Sequence, residues 1–333
     1  IQEAWGVFEK RVQGQRRIER RQRWVWVMSA VASVALVICC CWFVYYRANT
    51  EQKLNVAVQK IVPGQYNAVL EMADGATYQL GEQQYFLQER TGNQIKVDST
   101  VLSYLPVNNK SGLSQDVVYN KLSVPKGGEY RIELEDGTKV WINSASRLRY
   151  PVVFSGNIRE VYLEGEAYFH VTASKEHPFI VKTKDMDVMV TGTEFNVKAY
   201  PDEMNVQTTL LQGVVTVFSG FEKKEKVEIK PNQQVEWCRD SVKMRVREVD
   251  PDLFMAWKNG RFIFRQDRLG DIMRTLARWY GVEVVYLDES VKSMLFAGKL
   301  DRSEEITPIL DVLRTTDKLS VDVKGKKIVI GLK

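Results

Sequence analysis

The sequence predicts a single-pass membrane protein whose exported part is an all-β domain, solenoid-like or built of stacked sheets, followed by a small α+β domain. Three features carry this: an uncharged run from Trp24 to Tyr46, short alternating patterns from about Asn55 to Val249, and a change to helical spacing after Pro251. The uncharged run holds 23 residues. At about 1.5 Å of rise each they make a helix of roughly 35 Å, enough to cross a hydrocarbon core of about 30 Å. Trp24, Trp26, Trp42, Tyr45 and Tyr46 lie at its ends, where amphipathic rings prefer the headgroup level. Its length and the lack of a small-residue cleavage site separate it from a cleaved signal peptide.

Ahead of the run stand Lys10, Arg11, Arg16, Arg17, Arg20, Arg21 and Arg23 against Glu3, Glu9 and Glu19, while only Arg47, Lys53 and Lys60 follow closely. The positive-inside rule puts the N-terminus in the cytoplasm. This cluster accounts for most of the net charge of +5, so the basicity reports topology and gives no reason to expect direct nucleic-acid binding. Cys39, Cys40 and Cys41 fall inside the run as small apolar residues, and Cys238 is the only thiol beyond it, so no intrachain disulfide can form there. An exported part held by packing alone favours a bacterial inner-membrane protein with its bulk in the periplasm. The chain begins at Ile1 and not Met, so a preceding cytoplasmic portion is expected. Ile1, Trp5, Phe8 and Val12 share a helical face and would end such a segment. The Arg cluster gives the same stretch a second reading, a juxtamembrane helix lying on anionic lipid.

Strands are expected at Tyr130 to Leu134, Lys139 to Ile142, Glu160 to Leu163, Ala167 to Val171, Phe179 to Lys182, Asp187 to Val190, Glu194 to Ala199, Val206 to Leu211, Val214 to Phe218 and Val227 to Ile229. Two internal echoes support a repeated β architecture. Val62 to Gly75 aligns without a gap with Val124 to Gly137, and Leu163-x-Gly165-x-Ala167-x-Phe169 recurs as Leu211-x-Gly213-x-Val215-x-Val217. Asp74-Gly75 and Asp136-Gly137 read as hairpin turns needing positive φ, not as metal ligands.

Past Pro251, Phe262 to Phe264 is a strand, and Leu269, Ile272, Met273, Leu276, Trp279 and Tyr280 recur at helical spacing up to Gly281. Val282 to Tyr286 and Leu295 to Ala297 are further strands. Thr307 and Pro308 supply an N-cap and a first helical position for a helix to about Thr315, and Ser320 to Val323 with Lys327 to Ile330 form a hairpin around Gly325. Such a module is small for an enzyme and ample for docking.

Little in the chain suits catalysis. His170 and His177 are the only histidines, neither with a Cys, Asp or Glu at zinc-site spacing, so no metal and no cofactor is expected. No G-x-S-x-G elbow, Walker loop or dinucleotide fingerprint is present. Glu164 and Glu166 could be paired acids for glycoside hydrolysis, or a Glu-Gly-Glu turn or solvated strand end. Trp141, Tyr168, Phe169, Trp257, Trp279 and Tyr280 could stack on sugars, but alternating or helical spacing is the mark of core, and Trp279 and Tyr280 read as core plus one edge contact.

Val124-Pro125-Lys126-Gly127-Gly128-Glu129-Tyr130, Leu134-Glu135-Asp136-Gly137-Thr138-Lys139-Val140-Trp141-Ile142-Asn143 and Arg159 through Phe169 closely resemble the FecR family of anti-sigma regulators. His177-Pro178-Phe179, Gly192 through Val197 and Thr208 through Gly213 extend the resemblance. Ala256 through Phe262 and Leu276 through Tyr280 are similar to the domain that follows FecR in Bacteroidetes regulators, whose strand and helix order is similar to the short N-terminal domain of secretins and TonB-dependent transporters. The resemblance implies residues 1–23 as the stub of a sigma-binding segment, 24–46 as the membrane helix, 47–120 as a juxtamembrane β region, 121–250 as the FecR-like domain and 256–333 as a signalling and docking domain.

It further implies two partners: the signalling domain of a TonB-dependent outer-membrane transporter on the periplasmic side, and an extracytoplasmic-function sigma factor on the cytoplasmic side, with Trp5 and Phe8 as sigma-contacting candidates. The output would be transcription of nutrient-uptake genes, by a regulator that is not an enzyme. A lone helix transmits little by bending, so regulated cleavage is the expected route. Some FecR-like regulators are processed at a Gly-Thr bond, which makes Gly192-Thr193 the candidate self-cleavage site, with the Thr193 hydroxyl attacking the Gly192 carbonyl to form an ester that water hydrolyses. The plain alternative makes Gly192 a strand bend and Thr193 an ordinary β residue. Two rival functions are a periplasmic glycan-binding or glycan-processing envelope protein, and a structural part of a secretion or uptake machine.

Overall fold

The computed structural model describes residues 38–45, 61–89, 92–105, 117–219, 225–240 and 243–333. The chain divides into two compact units, residues 1–59 and 60–333. In the first unit residues 38–45 are helical and exposed. Among the described residues no helix is long and apolar enough to cross a membrane. Most of the expected span from Trp24 to Tyr46 lies outside them, as do Trp5 and Phe8.

Among the described residues of the second unit, nineteen strands join into one curled sheet that folds over into two layers. The first layer runs from Thr77–Leu80 through Ala68–Glu71, Tyr119–Val124, Ser146–Pro151, the start of Arg159–His170, Phe179–Lys182, Met186–Val190 and Val215–Ser219 to Glu225–Ile229. The second runs from Tyr85–Gln88 through Gln94–Val97, Val101–Tyr104, Gly128–Glu133, Lys139–Ile142, the end of Arg159–His170, Glu194–Ala199, Asn205–Gln212 and Gln233–Cys238 to Lys243–Glu248. Inward-facing residues of both layers, among them Leu70, Leu122 and Val188 from the first and Ile95, Ile132 and Phe195 from the second, form one core. Strands before residue 105 belong to the same layers and core as those after 119.

The sequence echoes have a structural cause. At Met72–Ala76 and at Leu134–Thr138 the same two backbone bonds close a hairpin, with Gly75 at φ 85° and Gly137 at φ 79°. The second echo marks corners where the chain passes between layers. Gly165 (φ 101°) lies inside the single strand Arg159–His170, whose first half pairs in one layer and second half in the other, so the two expected runs are one strand. Gly213 (φ 97°) separates Asn205–Gln212 from Val215–Ser219, and Gly192 (φ 147°) separates Met186–Val190 from Glu194–Ala199, again with a change of layer. Only glycine tolerates these dihedrals without strain. At Gly165 a Cβ would also lie within 2.7 Å of the Ser146 Cα.

The C-terminal module has its own core, built from Phe262, Leu269, Met273, Leu276, Trp279, Leu310, Leu319 and Ile328 among others. The Leu269–Tyr280 helix ends at Gly281, φ 61°, whose backbone caps it. Strand Glu283–Tyr286 lies parallel to Lys327–Leu332, which pairs antiparallel with Leu319–Lys324, while Arg261–Arg268 and Leu295–Asp301 make a separate two-stranded ribbon. The Thr307–Thr315 helix corrects one expectation: its N-cap is Ile306, not Thr307. Ile306 is 1% exposed and its carbonyl accepts from the Ile309 and Leu310 amides at 3.1 and 3.2 Å, so burial of an apolar side chain, and no hydroxyl, fixes the start.

Candidate functional site

Strand alternation fails at 179–181 and 215–217 in the first layer and, in the second, across three neighbouring strands that make the site. Residues 165–169, 195–197 and 208–210 are buried without interruption, so the outer face of the sheet is covered there as well as the inner one. The cover is the start of the C-terminal module. Asp250 accepts from the Asp252 amide to cap the short helix Pro251–Met255, and a 3₁₀ turn Ala256–Asn259 follows. Met255 and Trp257 thereby pack on Tyr168, flanked by Trp141 and Leu211. Lys258 places its Nζ 4.2 Å from the Tyr168 ring centre and 4.9 Å from that of Trp141.

Beneath Trp257 runs a buried polar network. Its indole N–H donates to Asn196 Oδ1 at 3.2 Å, and the Asn196 amide donates to Glu166 Oε1 at 3.0 Å. Asn143 donates to the other Glu166 oxygen at 2.9 Å, and the Glu166 amide donates to Ser146 Oγ at 2.9 Å. Arg302, 2% exposed, completes it from the module side: it donates to Asn143 Oδ1 at 3.2 Å and to the Trp257 carbonyl at 2.7 Å, and pairs with Glu129 at 3.2 Å. Its guanidinium stacks 3.7 Å from the Trp279 ring centre. Burial draws the Arg302 pKa down against the pull of Glu129 and Glu166, and burial raises that of Glu129 against Arg302. A buried ion pair is costly unless its remaining donors are satisfied; Asn143 and the Trp257 carbonyl take the two Nη groups of Arg302, while its buried Nε has no hydrogen-bond partner.

A second latch closes the seam at Arg278, in the last turn of the Leu269–Tyr280 helix. Arg278 pairs with Asp202 at 2.7 Å and Glu203 at 2.5 Å, and lies 3.6 Å from the Tyr200 ring centre. Lys198 also pairs with Glu203, at 2.8 Å. Arg239 steadies the loop carrying these acids by donating to the carbonyls of Tyr200 and Pro201, each at 3.1 Å, and pairing with Asp185. Burial pushes the Glu203 pKa up, but Lys198 and Arg278 outweigh it and hold the carboxyl below its usual value.

The sequence-picked residues separate on this map. Glu164 is exposed and pairs with Arg147 at 2.8 Å, while Glu166 is buried in the network, because the bend at Gly165 sends them to different layers. They do not face one substrate. Trp279 and Tyr280 are core, each with one polar contact: indole N–H to the Arg302 carbonyl and hydroxyl to the Glu304 carbonyl, both 2.8 Å. Thr193 is 4% exposed, and its hydroxyl donates to the Val214 carbonyl at 3.2 Å. Among the described residues no group of three His, Cys, Asp or Glu is placed to hold a metal. Sequence reasoning missed Arg278, Arg302, Asp202 and Glu203. The unbroken apolar run Ala167-Tyr168-Phe169 was the available signal, since a strand covered on one face alternates, whereas Phe195-Asn196-Val197 alternates in sequence and gives no sign of its second cover.

Residues 120–216 match the family model FecR protein, and residues 261–330 match the model FecR, C-terminal. Two crystal structures of a candidate anti-sigma factor from Parabacteroides distasonis ATCC 8503, at 1.65 and 2.50 Å resolution, are similar to the chain. Each is 28% identical with a TM-score of 0.60, and the likeness covers 64% and 65% of this chain and 99% of the other. No curated protein matches.

Proposed function

The chain belongs to the FecR family of anti-sigma factors, and from that premise we propose that it relays the state of a TonB-dependent outer-membrane transporter to an extracytoplasmic-function sigma factor. In this reading the helix from Trp24 to Tyr46 holds it in a bacterial inner membrane, the N-terminal side contacts the sigma factor, and residues 256–333 dock the transporter's signalling domain in the periplasm. The protein acts by binding and not by catalysis.

The observation that carries the reading is where the family's motif residues meet. Asn143, Glu166 and Asn196 from the first matched segment join Arg302 from the second through Trp257, in a network whose groups are spent on holding the two parts together. A glycan site would leave such groups open to solvent. Among the described residues Leu319–Lys324 is an edge strand that pairs only with Lys327–Leu332, with Arg314 Nε donating to its Val321 carbonyl at 2.9 Å. A strand edge of this kind suits strand addition by a partner. Deleting residues 256–333 should abolish capture of the transporter's signalling domain by the membrane-embedded chain. Undiminished capture by the truncated chain would refute docking there.

A further inference from the structure

The exported unit is held at its membrane-proximal end by the module that lies last in the chain. Ile61, 9% exposed, belongs to the apolar core of the C-terminal module and not to that of the β domain. At Gly64 the backbone passes so close to Trp279 that a Cβ would sit 2.6 Å from the indole. The Gln65 amide donates to the Gly127 carbonyl at 3.0 Å, and the Gly127 amide donates to the Arg278 carbonyl at 2.7 Å. One residue, Gly127, thus ties the leader to the last turn of the Leu269–Tyr280 helix. Gln65 and Tyr66 pair in parallel with Gly128 and Glu129, and Glu129 is the acid that meets Arg302.

We infer that residues 61–67 form a strap that the C-terminal module clamps through Trp279 and the Gly127–Arg278 bond, and that opening of this strap is how docking on the module is read at the membrane side. A leader resting on the β domain alone would be indifferent to events on the module. Here a displacement of the Arg278–Tyr280 turn moves Trp279, Gly127 and the Arg302 stack together, and with them everything that holds Ile61 and Gly64. Coupling of this kind is reciprocal: a loosened strap must change the module's own stability and its affinity for a partner. The clamp stands on the contacts alone, whereas its role as a read-out rests on the docking reading above.

The test is hydrogen exchange on the full chain in membranes, wild type against Gly64→Leu. Leucine cannot share the space beside Trp279, so the amides of residues 61–67 other than Pro63 should exchange faster by about tenfold or more, an opening made easier by about 1.4 kcal/mol. Amides of the Leu269–Tyr280 helix should accelerate too, while those of Phe179–Lys182 keep their rates. Faster exchange confined to 61–67, or an unchanged leader, overturns the clamp. Ile61→Ser removes a core contact without adding bulk and should give the same pattern, which covers the case of Gly64→Leu failing to fold. Adding the transporter's signalling domain to the wild type should alter exchange at 61–67. A bound domain with no change there removes the read-out role, whereas a domain that does not bind removes the docking reading and leaves the clamp to the two variants.

Discussion

Glu203 shows how single residues set the strength of the seam. Its carboxyl is held below its ordinary pKa of 4.5 because Lys198 and Arg278 outweigh the cost of burial. Between that value and the lower folded one, the unfolded chain binds the extra proton, so stability falls as pH drops through the window and the contribution is complete above about pH 4.5. Glu203→Gln should therefore melt lower than wild type at neutral pH, with the gap closing as pH falls below that value. Thermal melts across the acid range read this directly, and since burial raises Glu129 in both proteins alike, it drops out of the difference. Removing Arg278 instead would leave Glu203 with Lys198 alone, so the loss should fall short of the about 3–5 kcal/mol of a pair whose remaining charge is uncompensated. Thr193 poses a different question at the same scale. Its hydroxyl is engaged with the Val214 carbonyl, and Gly192 sits at a layer-changing corner, so we expect the full chain to stay intact across this bond. Intact-mass spectrometry decides it: fragments ending at Gly192 and starting at Thr193, lost in Thr193→Ala, would establish self-cleavage.

Elements were legible where one physical rule governed them. Lys139–Ile142 and Glu194–Ala199 lie where their alternation puts them, Phe179–Lys182 where its apolar run between turns puts it, and the Leu269–Tyr280 helix stops at its glycine. Alternation became misleading where a second cover was added from far along the chain, since a strand pattern records how many faces are buried and not what buries them. The break seen at Gly165 looked like a strand end because a corner and an end both need a small residue with positive φ. Arg302 was unreadable for a related reason: in the stretch Asp301-Arg302-Ser303 it has the look of a solvated turn, and only the fold brings it to Glu129 and Asn143. The corners can be tested against ordinary turns. Gly75→Ala, at φ 85° with open space around it, should cost about 1–2 kcal/mol for the dihedral alone. Gly165→Ala adds a collision with Ser146 and should lower the urea midpoint by clearly more. Equal losses would mean that the corner has room to relax.

At the scale of the whole molecule, the β domain and the C-terminal module behave as one body because two polar latches and an apolar patch join them, and the family assignment gives that body its purpose. In the proposed role, a unit whose residues 61–67 are clamped by its C-terminal module is suited to passing on an occupancy signal. It offers less to a machine part that must assemble into rings. In the proposed role the sigma-facing residues are Trp5 and Phe8, ahead of the Arg cluster. Purification of the full chain from membranes of its own host, with the bound proteins identified by mass spectrometry, tests the central claim most directly. An extracytoplasmic-function sigma factor should co-purify with the wild type and be depleted from the Trp5→Asp, Phe8→Asp double variant. Recovery of the chain with no sigma factor in either preparation would contradict it.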